Sequence, residues 1–137
     1  MNNDAEVFYL MVLHLNRQLR EVDRATGLSG VRFSILASLQ FHGTANLRDL
    51  AEDEKVSRPA ITRLIRDMAL DGQVVTGKDP KDGRGVRVEI TRQGRTVLLN
   101  ARKQKIAIVD HYLQTLTASE RRVLKPVAKK LAEAVWP

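Results

Sequence analysis

Cysteine is absent from the 137 residues. That excludes a disulfide framework, thiolate zinc sites, thiol catalysis and cysteine-based redox sensing. Aromatic residues make up only 4% of the chain, so the core is expected to be aliphatic and helical. The apolar run Phe8 to Leu13 is broken by His14 and Asn16, far short of the ~20 residues that span a bilayer. No charged leader or small-residue cleavage site precedes it, which gives a cytoplasmic expectation and no membrane partner. No nucleophile–base–orienter set, glycine-rich phosphate loop or paired-carboxylate site stands out, so an enzyme is the least supported class. His14, His42 and His111 lie on three different predicted elements without metal-ligand spacing, so neither a metal nor a cofactor is expected. Asp49, Glu52, Asp53 and Glu54 read as a solvated acidic patch.

What is present in excess is positive charge, and it is concentrated. The net charge is +7. Residues 55–95 hold ten Lys/Arg against five Asp/Glu, while the other 96 residues hold thirteen against eleven. A basic segment of this kind suits a polyanionic partner. With 43% hydrophobic residues, the length fits one domain, or one domain with helical arms.

The periodicity predicts four helices, a hairpin and two more helices. Val7, Phe8, Leu10, Met11, Leu15, Leu19 and Val22 recur at helical steps from Ala5 to about Ala25, with a wide apolar face near the start. Gly27 and Gly30 are expected to end that helix, and a second spans Val31 to Phe41. Asn46 is placed to cap a third and Ser57 a fourth, which ends near Leu70 before Asp71-Gly72. The period then falls to two: Val74 to Lys78 and Val86, Val88, Ile90 predict strands around the turn 79–83. Thr91 caps a long helix to about Leu113. Thr117 to Glu120 spaces a capping box before the last helix, which Pro126 is expected to kink or divide.

The third and fourth helices are joined only by Lys55-Val56, the ingredients of a helix-turn-helix. At 100° per residue Ile61, Leu64, Ile65 and Met68 share one face of the fourth helix within about 100°. Pro59, Thr62, Arg63 and Arg66 share the opposite one. Arg offers a fork for guanine O6 and N7, and Thr a base edge or thymine methyl contact. Lys78, Lys81, Arg84 and Arg87 line the hairpin, whose tip is suited to the minor groove or backbone. Asp82 is expected to hold the Arg84 guanidinium.

These residues resemble the MarR-type winged-helix transcriptional regulators. The resemblance runs through Asn46-Leu47-Arg48-Asp49-Leu50-Ala51, Val56-Ser57-Arg58-Pro59-Ala60-Ile61-Thr62-Arg63-Leu64-Ile65, Asp71-Gly72-Gln73-Val74, Asp79-Pro80-Lys81-Asp82-Gly83-Arg84 and Val88-Glu89-Ile90-Thr91-Arg92-Gln93-Gly94. It covers about 45–100 closely. Ile90 stands where the family has Leu, and Gly83 and Gly85 flank Arg84 where it often has bulkier residues.

The resemblance implies a mainly α fold with a β-hairpin wing, and a homodimer held by interlocked N- and C-terminal helices (1–30 and 92–137) around a DNA-binding lobe (31–91). It implies DNA contacts from Ser57, Pro59, Thr62, Arg63 and Arg84. Together with the residues read directly, the candidate set on double-stranded DNA is Ser57, Arg58, Pro59, Thr62, Arg63, Arg66, Lys81, Asp82, Arg84 and Arg87. Family members often bind small aromatic or phenolic acids between stalk helices. His14 is the candidate effector contact, against the plainer reading of an interface histidine.

The expected function is therefore a ligand-responsive, sequence-specific repressor on a near-palindromic operator. A non-specific architectural winged helix and a helical protein-interaction module remain alternatives.

Overall fold

Helix boundaries follow the caps that the sequence supplies. In the computed structural model, which describes residues 3–135, α1 covers Asp4–Thr26 and ends at Gly27 in the left-handed region, φ 67°. The second helix, α2, covers Gly30–His42. Gly30 thus opens α2 rather than closing α1, because the Ser29 hydroxyl accepts from the Arg32 amide and sets the start one residue earlier than the apolar pattern suggests. α3 covers Leu47–Glu54 and α4 covers Arg58–Leu70. α5 (Arg92–Leu113) starts on the Thr91 cap, and α6 covers Ala118–Val135.

The sheet has three strands, one more than the sequence predicts. β2 (Val74–Lys78) and β3 (Val86–Ile90) form the expected antiparallel hairpin, in register from Val74 opposite Ile90 to Lys78 opposite Val86. β1 is only Ala45–Asn46 and pairs with the other edge of β3, giving the order β1-β3-β2. Two residues carry no periodicity, so this strand is invisible until β3 offers its edge.

The core is aliphatic. Leu28, Ile35, Leu36, Leu39, Leu50, Ile61, Met68, Val74 and Val88 are fully buried, and Val22, Leu98 and Ala101 from the long helices close over them. The winged lobe and the first and fifth helices therefore share one core. Asp23 of α1 and Lys105 of α5 pair at 2.8 Å, with only 17% of each side chain exposed. The Lys105 ammonium also sits 3.9 Å from the centre of the Phe33 ring on α2, so this contact joins three helices.

The last helix differs from the rest. It runs through Pro126 without a break, and none of its residues is buried. The missing proline N–H frees a carbonyl one turn back, and it does so on a helix without buried residues, where that carbonyl is open to solvent. Its start is a reciprocal capping box: the Thr117 amide donates to Glu120 Oε2 at 2.8 Å, and the Glu120 amide donates to Thr117 Oγ1 at 3.2 Å.

Of the glycines, Gly94 sits in the tightest place, where α5 begins. A Cβ on Gly94 would lie 2.1 Å from the Gln73 carbonyl oxygen, so only glycine lets the two backbones meet. The Thr91 amide donates to that same carbonyl at 3.0 Å, and the Thr91 hydroxyl to the Gly72 carbonyl at 2.5 Å.

Gly94→Ala is accordingly expected to lower stability by about 1–3 kcal/mol through overpacking, measured as a shifted urea midpoint; an unshifted midpoint would contradict the contact. The amide and hydroxyl of Thr117 hold the Glu120 carboxyl below its ordinary value. A carboxyl depressed in the folded state adds stability above its unfolded pKa and loses it as pH falls through the folded one. Carbon-detected NMR titration should therefore place Glu120 below a free glutamate, and Thr117→Ala should move it upward.

Candidate nucleic-acid interface

The turn between α3 and α4 is set by Lys55, which adopts the left-handed region at φ 55° and hands the chain over in a single residue. Its neighbour Val56 donates to the Ala51 carbonyl at 3.0 Å and packs against the core. Ser57 then caps α4, its hydroxyl accepting from the Ala60 amide at 3.3 Å, with Pro59 in the first turn. Ile61, Ile65 and Met68 are buried and Leu64 is half-buried. Arg58, Pro59, Thr62, Arg63 and Arg66 are exposed and line one continuous surface groove. The separation of faces read from the sequence is the separation observed.

The wing projects beside this helix. Its tip closes through the Asp79 amide on the Gly85 carbonyl at 3.0 Å and the Gly85 amide on the Asp82 carbonyl at 2.9 Å. Both tip carboxylates turn to the backbone: Asp79 Oδ1 accepts from the Lys81 amide at 2.9 Å and Asp82 Oδ1 from the Arg84 amide at 3.0 Å. Asp82 therefore shapes the turn through the Arg84 main chain and does not bond the guanidinium, contrary to the sequence expectation. The reason is reach, since the amide two residues on is the nearest donor to an aspartate in a tight turn. Lys81 and Arg84 are exposed and in no ion pair among the described residues. Arg87 is different. Its guanidinium pairs with Glu89 at 2.6 Å on the same face of β3, so its charge is already engaged.

A second groove of about 630 Å³ separates the wing from the helices, lined by Arg48, Arg58, Thr62, Lys81, Arg84 and Gly85 among others. Sequence reasoning missed Arg48. No signal in the sequence pointed to it, because its wall of the groove exists only once the wing folds opposite α3.

The grip on α4 comes from behind. Arg32 of α2, 18% exposed, donates to Asp71 Oδ2 at 2.6 Å and to Gln73 Oε1 at 3.3 Å. Gln93 of α5 donates to the Asp71 carbonyl at 3.1 Å. The C-terminal end of α4 is thus held by α2 and α5 together.

His14 lies elsewhere, in a cleft of about 620 Å³ among α1, α5 and α6 with Met11, Arg17, Tyr112, Leu116 and Leu124. His42 stands at the end of α2 and His111 late in α5. Among the described residues no three His, Asp or Glu side chains group as a metal site, and no helix is long and apolar enough to cross a membrane.

Comparison with known proteins agrees with this geometry. The MarR family model matches residues 28–86. An HTH-type transcriptional regulator from Mycobacterium tuberculosis is 34% identical over 119 residues, covering 87% of this chain and 83% of that protein. The apo form of wild-type MarR from E. coli superposes with a TM-score of 0.80 at 22% identity, over 100% of this chain and 98% of its own. NadR, solved in complex with 4-hydroxyphenylacetate, superposes with a TM-score of 0.68 at 21% identity, over 96% and 94%. A fully matched winged-helix fold, a basic helix-turn-helix and a relative of this identity carry one conclusion: the chain belongs to the MarR family of DNA-binding transcriptional regulators.

Proposed function

We propose that this regulator is a homodimeric repressor that reads a near-palindromic operator and releases it on binding a small aromatic or phenolic acid. The observation that carries the reading is the two-faced α4. One face is locked into the core, and the other presents Thr62, Arg63 and Arg66 with no protein group over them. Base-reading side chains are superfluous on a helix that only grips phosphate, so they favour a specific reader over an architectural one. Arg84, unpaired at the wing tip, is suited to the adjacent minor groove or backbone, where a narrow groove attracts arginine. Ser57, Arg58 and Pro59 sit at the N-terminal end of the helix, where backbone amides and the helix dipole favour a phosphate.

Residues 31–91 act in this reading as the DNA-binding lobe and the flanking helices as the dimerisation stalk. The stalk carries its own support. Val7, Phe8, Tyr9, Leu10, Met11 and Val12 are all exposed, as are Val123, Val127 and Leu131 on one side of α6. A second copy covers such surfaces by symmetry, which places two recognition helices about one DNA turn apart. Bound across a promoter, such a dimer blocks polymerase by occupancy alone.

The effector reading rests on the cleft that holds His14. It is walled by apolar residues, with His14, Arg17 and Tyr112 able to orient a carboxylate or phenol. NadR, which shares the fold, holds 4-hydroxyphenylacetate. A ligand that prefers one arrangement of the stalk helices over another lowers operator affinity by that difference, about 1–3 kcal/mol for typical coupling.

Selection from random duplexes at about 0.15 M salt is expected to enrich a near-palindrome with half-sites roughly one turn apart. Retention without enrichment would support the architectural alternative. On the enriched site, Arg63→Ala should cost about 1–3 kcal/mol and relax one position of the motif; an equal loss on every duplex would remove its base-reading role. Sedimentation should give a species near twice the 15.4 kDa chain, and Leu131→Glu should shift it toward one copy and weaken operator binding.

A further inference from the structure

The dipeptide Asp-Gly occurs twice in the chain, at Asp71-Gly72 and at Asp82-Gly83. In this pairing an aspartate side chain closes most readily on the next amide, because glycine puts no Cβ in the way of its own nitrogen. The two copies are identical in sequence and opposite in setting. At the first, every group that ring closure needs is held. The Asp71 carboxylate takes Arg32 at 2.6 Å, its carbonyl accepts from Gln93 at 3.1 Å, and its amide donates to the Asp67 carbonyl at 3.0 Å. The attacking nitrogen is occupied too, since the Gly72 amide donates to the Ala69 carbonyl at 3.0 Å. Gly72 is also crowded: a Cβ there would lie 2.8 Å from Gln93 Oε1.

At the second copy the carboxyl is held where closure needs it. Asp82, Gly83 and Arg84 are all exposed at the wing tip. Asp82 Oδ1 accepts from the Arg84 amide at 3.0 Å. An aspartate bonded to the amide two residues on carries its carboxyl carbon beside the amide nitrogen in between, here that of Gly83. The Gly83 amide donates to no protein group among the described residues, and open space stands where its Cβ would be. Asp79, the other carboxylate of the tip, precedes Pro80, whose nitrogen has no proton to lose.

We propose that Asp82 is a site of isoaspartate formation, so that the wing tip changes covalently as the molecule ages. The Gly83 nitrogen bonds to the side-chain carboxyl carbon of Asp82, and its proton leaves with the carboxyl hydroxyl as water. Water then opens the five-membered imide at either carbonyl. Opening at the main-chain carbonyl breaks its bond to the Gly83 nitrogen, frees a carboxylate there and leaves the chain running through the Asp82 side chain. The product is an isomer of the same mass, and no oxidant, metal or second substrate takes part.

The new linkage lengthens the main chain by one carbon where the tip is drawn closed. The carbonyl that accepts from the Gly85 amide at 2.9 Å becomes a free carboxylate, and the side-chain bond to the Arg84 amide is lost. Arg84 is thereby released from its set position. This consequence for DNA rests on the function proposed above, in which Arg84 grips the duplex. The covalent change itself rests on the turn alone.

The test ages the full chain in neutral buffer at physiological temperature, as wild type and as Gly83→Ala. The open space at residue 83, and a φ outside the left-handed region, admit that change. Isoaspartate is read with a purified isoaspartyl carboxyl methyltransferase, which moves a labelled methyl group from S-adenosylmethionine to the freed carboxylate. Label should accumulate with time in wild type and map to the peptide holding 82–83, not to the one holding 71–72. It should stay near background in Gly83→Ala, whose added methyl group shields the nitrogen. In the same samples, wild-type affinity for the selected duplex should fall as label rises, by about tenfold for a converted molecule that loses one charged contact. Gly83→Ala should keep its own starting affinity. Continued methyltransferase treatment returns the imide with loss of methanol, so it should restore part of the lost binding, which no repair follows after unfolding or aggregation. Equal label at both dipeptides, or in both proteins, overturns the site. Label without loss of affinity overturns the consequence for the wing and leaves the site standing. A wild type that binds no duplex even when fresh overturns the DNA-reading function, and the methyl count still decides the site.

Discussion

Everything in the lobe hangs on the place where the Gln73 carbonyl meets the first turn of α5. Gly94 approaches that oxygen more closely than any side chain allows, and the Thr91 amide bonds it directly. Two residues earlier, Asp71 takes Arg32 on its carboxylate and Gln93 on its carbonyl. Four segments therefore converge on residues 71–73: the end of the recognition helix, the first strand of the wing, the start of α5 and the start of α2. Each backbone group in this knot has a partner, and an unpaired one would cost about 1–3 kcal/mol. The end of α4 and the start of the wing are thus fixed to each other, and to α2 and α5, at one junction.

Charge is arranged on that frame by removal as much as by placement. Glu89 engages Arg87, Asp71 engages Arg32, and the wing carboxylates are turned into the turn backbone. Around α4 and the wing, Arg58, Arg63, Arg66, Lys81 and Arg84 are exposed and belong to none of the ion pairs among the described residues. Residues 55–95 carry ten Lys/Arg against five Asp/Glu, so most of the formal net charge of +7 lies in this stretch. The exposed pairs add little stability; their effect is on which cations stay free.

Much of this was legible in the sequence, and for a physical reason. Caps announce themselves because their side chains must bond backbone amides, so Asn46, Ser57 and Thr91 fixed the starts of three helices. The two faces of α4 were plain because burial on one side is written at a period of 3.6. What escaped was whatever depends on a distant partner. β1 exists only because β3 offers an edge to Ala45 and Asn46. Arg48 looks like an ordinary surface arginine until the wing folds back opposite it. Pro126 was expected to kink or divide the last helix, and α6 is not divided there, its residues being unburied along the whole length. The pairing of Arg87 with Glu89 was within reach, since residues two apart on a strand share a face.

The closeness of Gly94 to Gln73 has a mechanical meaning as well. α5 has 22 residues, a rod of about 33 Å at 1.5 Å per residue, and its first turn is fused to the lobe with no slack. Leu98, Ala101 and the Lys105–Asp23 pair fasten its near half to the same core, so the rod and the lobe move as one lever. Tilting it by roughly 6° about its far end swings the clamped end by about 3 Å, close to the ~3.4 Å rise between base pairs. In the dimer proposed above, a small rearrangement among the flanking helices would therefore reach α4 as a shift on the scale of one base-pair step.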